Sequence, residues 1–445
     1  MKPIATLSLI LLAACVGAGA AGKVFPYSYN QEDLPNGLRL ITIPTDYPNI
    51  VSVFIVVSTG SRNEIEPGKS GFAHLFEHLM FRGTPEFSPE RYQTELRAAG
   101  AYSNAFTTDD FTAYHTTFSK EDLPRVLTME ADRFQHLAYE QPAFRTEALA
   151  VLGEYNKNSA NPGSKLSETL RATAFGEHTY KHTTMGFIED IKAMPEQFDY
   201  SRQFFDRYYR PEYTTIIVAG AIDAKKVRAM VGESWGNWKR GTYKPQIPAE
   251  PAQNGARTAH VDWPNPTLPW VVAAWRGPAY TDDSPDSVAL DAIARLGFSE
   301  SSPLFQKLVL GEQKADVIFG GQPASVDPQL FTVRARVKKE ADLPGIEEQI
   351  VAEAQSFVTR TVDPKKLETL KQRMRYEFAL RLDSSEAIAQ TVARYVALRR
   401  TPETINRYFD LFEKLTPADI QKVAAKYLTE KNRTVITLTS KAGAN

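Results

Sequence analysis

Two histidines four residues apart with a glutamate between them, His74 and His78 around Glu77 in the run SGFAHLFEHLMFRGT, have the types and spacing to do chemistry. On a helix, positions i, i+3 and i+4 share one face, so this spacing presents two imidazoles and a carboxylate side by side. The neighbours Phe72, Leu75, Leu79 and Phe81 are apolar and predict a half-buried helix. Buried histidines need partners, because an unpaired polar group gives up its hydration for nothing. A metal ion is one such partner. Catalytic zinc typically takes three protein ligands and keeps a fourth position for water, so another segment has to supply the third.

Downstream, QPAFRTEALAVLGEYNK reads as a helix, with Pro142 in its first turn and Phe144, Ala148, Val151 and Leu152 at helical spacing. Glu147 and Glu154 lie two turns apart and share a face. Alone, that stripe reads as ordinary solvated carboxylates, which most helical glutamates are. The stretch AYSNAFTTDDFTAYHTTF, rich in Thr, Phe and Tyr and alternating at Phe111, Ala113 and His115, reads as a strand or hairpin arm. The alternative is a plain core strand.

The pentad is the inverted form of the commoner zinc signature and resembles that of the inverzincins, the pitrilysin or insulinase-type zinc peptidases. Further stretches resemble the same family in the same order: Gly60-Ser61-Arg62-Asn63-Glu64, Phe81-Arg82-Gly83-Thr84, and Asn104-Ala105-Phe106-Thr107 followed by Asp110, Thr112 and Tyr114. The resemblance implies a third ligand about 75 residues beyond the pentad, where Glu154 stands. It also implies a supporting role for Glu147, seven positions earlier. Such outer partners commonly matter 10–100-fold. Glu77, beside the ligands without being needed as one, is the candidate general base. The Asn104-Ala105-Phe106-Thr107 segment is expected, by resemblance, to be an edge strand to which a peptide adds through main-chain hydrogen bonds.

With 445 residues, 42% hydrophobic and 24% charged, the chain has room for two or three globular domains. Its 52 basic and 53 acidic residues give a net charge of −1, with no long basic run or Gly-rich phosphate loop, which excludes a nucleic-acid partner from the reading. Residues 1–22 read as a targeting segment: Lys2, then the apolar IATLSLILLAAC, too short to span a bilayer comfortably, then small residues. This looks like a bacterial signal peptide and implies export to the periplasm. Leu12-Ala13-Ala14-Cys15 also resembles a lipobox, implying a lipid anchor on Cys15; the alternative is ordinary cleavage after Ala20 or Ala21. Cys15 is the only cysteine, so the mature chain forms no disulfide.

The remainder divides into residues 23–238, expected to be the zinc-binding catalytic domain, a linker at 239–257 containing YKPQIPAEPAQNGA, and residues 258–445. The second half restarts like the first: PWVVAAWRGPAY matches IVSVFIVVSTG, and DSVALDAIARLGF matches SGFAHLFEHLMF. Setting Phe298 against Phe81 puts Asp291, Ala294 and Arg295 opposite His74, Glu77 and His78, so the metal site is not repeated. One Zn²⁺ per chain is expected. The resemblance implies the same organisation: an α+β fold of two homologous α/β domains with mostly antiparallel sheets covered by helices, closing like a clam shell.

These features point to a zinc-dependent endopeptidase acting on peptides or unfolded segments. The resemblance further implies a two-chain assembly, either a homodimer or a heterodimer with a homologous subunit lacking the metal motif. Two rival readings are a non-catalytic subunit of the same fold and a zinc-binding accessory protein. Relatives of the first kind have lost ligands or base, whereas this chain keeps them all; the second has no need of Glu77.

Overall fold

The computed structural model describes residues 23–441; the expected signal segment and Cys15 lie outside them. The β-branched run IVSVFIVV forms the centre of the first sheet, where a strand buried on both faces is expected to be continuously apolar. That sheet comprises β1 (Asn30–Asp33), β2 (Arg39–Pro44), β3 (Ile50–Val57), β4 (Tyr102–Thr107), β5 (Thr112–Ser119) and β6 (Thr214–Gly220). Its order is β1-β2-β6-β3-β5-β4, with β2–β6 parallel and every other pair antiparallel.

The second sheet comprises β7 (Arg257–Trp263), β8 (Trp270–Arg276), β9 (Ala315–Gly321), β10 (Leu330–Val337) and β11 (Arg433–Ser440). Its order is β7-β11-β8-β10-β9, again with one parallel pair, β7–β11, in the place corresponding to β2–β6. The second half thus repeats the topology of the first without β1. No helix or strand occurs between Trp235 and Arg257. The fold is α+β, two similar halves with mostly antiparallel sheets covered by helices.

Six helices carry the functional argument: α1 (Phe72–Leu79), α2 (Gln141–Ser159), α3 (Pro162–Ala174), α4 (Asp286–Phe298), α5 (Pro364–Leu380) and α6 (Ser385–Arg399). On one face of the first sheet, Phe72, Leu75, Phe76 and Leu79 of α1 pack against Val53, Ile55 and Tyr114. The opposite face is covered from the other half: Phe54, Val56, Ile217 and Ala219 share a core with Val392 and Val396 of α6. The exchange is reciprocal, since Leu166, Leu170 and Ala174 of α3 pack on Val261, Val272, Ile436 and Leu438 of the second sheet. Each half lends a helix to the other's sheet.

A polar junction reinforces this. Arg62 donates to Asp327 at 2.5 Å, Tyr180 O–H to Asp110 at 2.5 Å, and the Val326 N–H to the other Asp110 oxygen at 3.0 Å. Arg62 and Asp110 belong to stretches that resemble the peptidase family. Their side chains tie the two halves together.

Candidate metal centre

The start of α1 is fixed by Glu64, the last residue of the Gly60-to-Glu64 turn. Its buried carboxyl group accepts the Gly71 N–H at 2.8 Å and the Ala73 N–H at 2.7 Å, two donors that a helix start leaves unpaired. Gly71 has φ = +93°, a conformation costly for a residue with Cβ. One turn later, His74, Glu77 and His78 project towards α2.

There, the Nε2 of His74 lies 3.5 Å and the Nε2 of His78 3.7 Å from Glu154 Oε2. The three donors fall within 4.8 Å of one another, the only such cluster among the described residues. Zinc bonds of about 2.0–2.2 Å in a tetrahedron require donors about 3.3–3.6 Å apart, so this donor set fits the ion in chemistry and spacing. Burial, helped by the neighbouring His78, holds the His74 imidazole down at about 4, so near neutral pH it is uncharged with a lone pair to offer. His78 Nδ1 lies 3.1 Å from Glu147 Oε2. Donation of an Nδ1 proton to this carboxylate leaves Nε2 free to ligate, the usual arrangement for metal-binding histidines. The other Glu147 oxygen meets the guanidinium of Arg82.

Glu77 accepts a hydrogen bond from Thr107 Oγ1 at 2.7 Å. Burial raises its carboxyl above the usual range, partly opposed by this hydrogen bond. A more basic carboxylate is better matched to taking protons near neutral pH. A pocket of about 290 Å³ opens beside it, lined by Glu77, His78, Phe81, Arg82, Asn104, Ala105 and Glu147.

In the segment expected to bind peptide, the pleat turns Ala105 and Thr107 to the metal side and Phe106 to the other, while Asn104, on the exposed edge, also reaches the metal pocket. β4 is the sheet edge, paired only with β5, and its free side is available to another strand. Asn104 and Ala105 line the metal pocket, and Asn104 Oδ1 accepts the Ala105 N–H at 2.9 Å. Thr107 turns to Glu77. Phe106 points to the opposite face, its ring 5.7 Å from that of Phe111. Sequence reasoning gave no role to Arg82, to Glu64 as the anchor of α1, or to the Thr107 hydroxyl. Each sits in a stretch that resembles the family, but only the fold says what it touches.

In the second half, α4 and α5 meet as α1 and α2 do. Arg295 donates to Glu377 at 3.0 Å, and Tyr408 donates to Asp291. An internal ion pair stands at the helix contact that, in the first half, gathers metal donors.

Two models of one peptidase family match the chain, Insulinase (Peptidase family M16) over residues 39–187 and Peptidase M16 inactive domain over residues 197–374. A zinc protease of Helicobacter pylori, PqqE, is 28% identical over 98% of this chain and 98% of its own. The mitochondrial-processing peptidase subunit beta of Dictyostelium discoideum is 24% identical over 89% of this chain and 86% of its own. The crystal structure of a protease from Helicobacter pylori superposes with a TM-score of 0.86 at 27% identity, covering 93% of this chain and 99% of that one. The chain belongs to the M16, or insulinase, family of peptidases.

Proposed function

We propose that this protein is a zinc-dependent metalloendopeptidase, with one zinc per chain held by His74, His78 and Glu154. The observation that carries this reading is the convergence of those three donors beside a glutamate that is not among them. A zinc ion held there would supply a water whose pKa is lowered from 15.7 towards about 7 and a Lewis acid for the scissile carbonyl. Glu77 takes the proton of the attacking water and delivers it to the leaving amine, with Thr107 holding its carboxylate. Glu147, steadied by Arg82, keeps the His78 ring in the tautomer that leaves Nε2 free. The free edge of β4 at Asn104 and Ala105 aligns the peptide through its main chain, which accounts for tolerance of sequence; Phe106 and Thr107 support that strand from its two faces.

Residues 23–238 would form the catalytic unit and residues 258–445 the non-catalytic one, joined by residues 239–257. A second chain, identical or homologous, would close over the metal site. Residues 1–22 would direct export to the periplasm, with Cys15 as a lipid anchor. No described helix is long and apolar enough to cross a membrane.

The test compares wild type with Glu77→Gln on an unstructured peptide library, with metal analysis of both. Wild type should cleave; the variant should retain zinc and lose turnover by at least the 10²–10⁴-fold typical of a general base. Equal cleavage by both, or zinc content indifferent to His74, His78 and Glu154, would sink the proposal.

A further inference from the structure

A peptide paired with β4 presents its side chains alternately to the two faces of the sheet, because the strand period is two. One set faces the metal pocket. The other lies on the face of Phe106, where a cleft of about 850 Å³ separates the first sheet from the end of α5 and from α6 along most of its length. The cleft begins at Phe106, so it is continuous with the strand on which the peptide would lie. Its walls mix large apolar groups, Phe106, Phe111, Phe378 and Tyr395, with the guanidinium groups of Arg381 and Arg394.

The two arginines set its chemistry. Both are exposed, and neither side chain makes an ion pair or hydrogen bond among the described residues. The acids nearby are mostly engaged. Asp109 receives two hydrogen bonds from Arg171, at 2.9 and 2.8 Å, and Asp110 is held by Tyr180 and the Val326 N–H. Among the described residues, Asp383 is the one lining carboxylate without such a partner, against the two guanidinium groups. One apolar side chain of the cleft wall, Leu380, is 58% exposed and adds to the apolar surface open to a substrate side chain.

We propose that this cleft is a specificity site for substrate side chains that point away from the metal, selecting an acidic side chain beside a bulky apolar one. The inference rests on the peptidase reading above. Apolar walls take the bulky group, and Arg381 and Arg394 take the carboxylate as partly exposed charge pairs.

The test uses C-terminally amidated peptides identical except for Glu, Gln or Lys at alternate positions flanking the cleavage point. KM and kcat are measured for zinc-loaded wild type and for Arg381→Gln/Arg394→Gln, whose exposed changes spare the core. Binding of the same peptides to Glu77→Gln by fluorescence anisotropy provides a readout without turnover. Wild type should favour Glu over Gln, and Gln over Lys, at positions of one parity only. The double variant should raise KM and Kd for the Glu peptide about five- to tenfold, with kcat unchanged and the Gln peptide altered less than about twofold. Raised salt should erode the wild-type preference. Equal KM for Glu and Gln peptides in wild type, an equal effect of the double variant on both, or a preference that appears only with a free C-terminal carboxylate overturns the inference while leaving the peptidase reading standing. A wild type that cleaves no peptide, while Glu77→Gln binds them with the stated preference, removes the peptidase reading and keeps the site.

Discussion

Replacing Glu64, the anchor of α1, should alter stability in a way that depends on pH with a definite sign. Its carboxyl is fully buried, and burial pushes it up to about 8 from a usual value of 4.5, against the lowering effect of the Ala73 and Gly71 N–H groups. Between those values the unfolded chain has released its proton while the folded chain keeps it, so this group's contribution to stability is complete below pH 4.5 and is lost as pH rises towards 8. The slope has a ceiling of about 1.4 kcal/mol per pH unit, and the whole interval a ceiling of about 5 kcal/mol. Glu64→Gln is neutral throughout and keeps one acceptor oxygen; Glu64→Ala strands two buried N–H donors, about 1–3 kcal/mol each. Urea unfolding of the zinc-free protein at half-unit steps from pH 5 to 8, followed by tryptophan fluorescence, to which Trp235 and Trp238 in the core shared with α1 contribute, measures the difference. The advantage of wild type over Glu64→Gln should shrink steadily as pH rises. An advantage constant from pH 5 to 8 would mean the carboxylate is ionised throughout, with the helix N-terminus outweighing burial, and would refute the reasoning.

Two other substitutions probe the proposed centre. Glu147→Ala removes the acceptor facing His78 Nδ1 and should weaken zinc binding 10–100-fold, measured by competition with a chromogenic chelator; unchanged affinity would show that Glu147 does not orient the ring. Thr107→Val removes a hydrogen bond that lowers the Glu77 carboxyl, so that group should rise further and the ascending limb of kcat/KM against pH should move to higher pH; a limb that stays in place would separate Thr107 from the base.

Much of the centre was legible because its residues are local in sequence. His74, Glu77 and His78 need only a helix to share a face, and the apolar residues around them supply the helix. Glu147 and Glu154 also share a helix face, yet their spacing said nothing about which neighbour they would meet; that came from resemblance. The second half was readable as a copy because its strand and helix recur in order, and the sheets agree down to the single parallel pair. Phe106 and Thr107, read together as peptide-binding, part company because adjacent strand residues face opposite ways. Arg62 and Asp110 stand in stretches that resemble the family's, but they bridge the halves and do not touch the metal pocket.

By itself, then, the sequence determined the kind of chemistry, since helical and strand periods fix which nearby side chains travel together. The tertiary structure decided everything that depends on elements distant in the chain: Glu64 seated under α1, Glu147 between His78 and Arg82, α3 and α6 exchanged between sheets, and two unpaired arginines brought to the end of the edge strand. Those meetings are set by burial of apolar faces that many partners could satisfy. Periodicity specifies the face of an element, and only packing specifies what it faces.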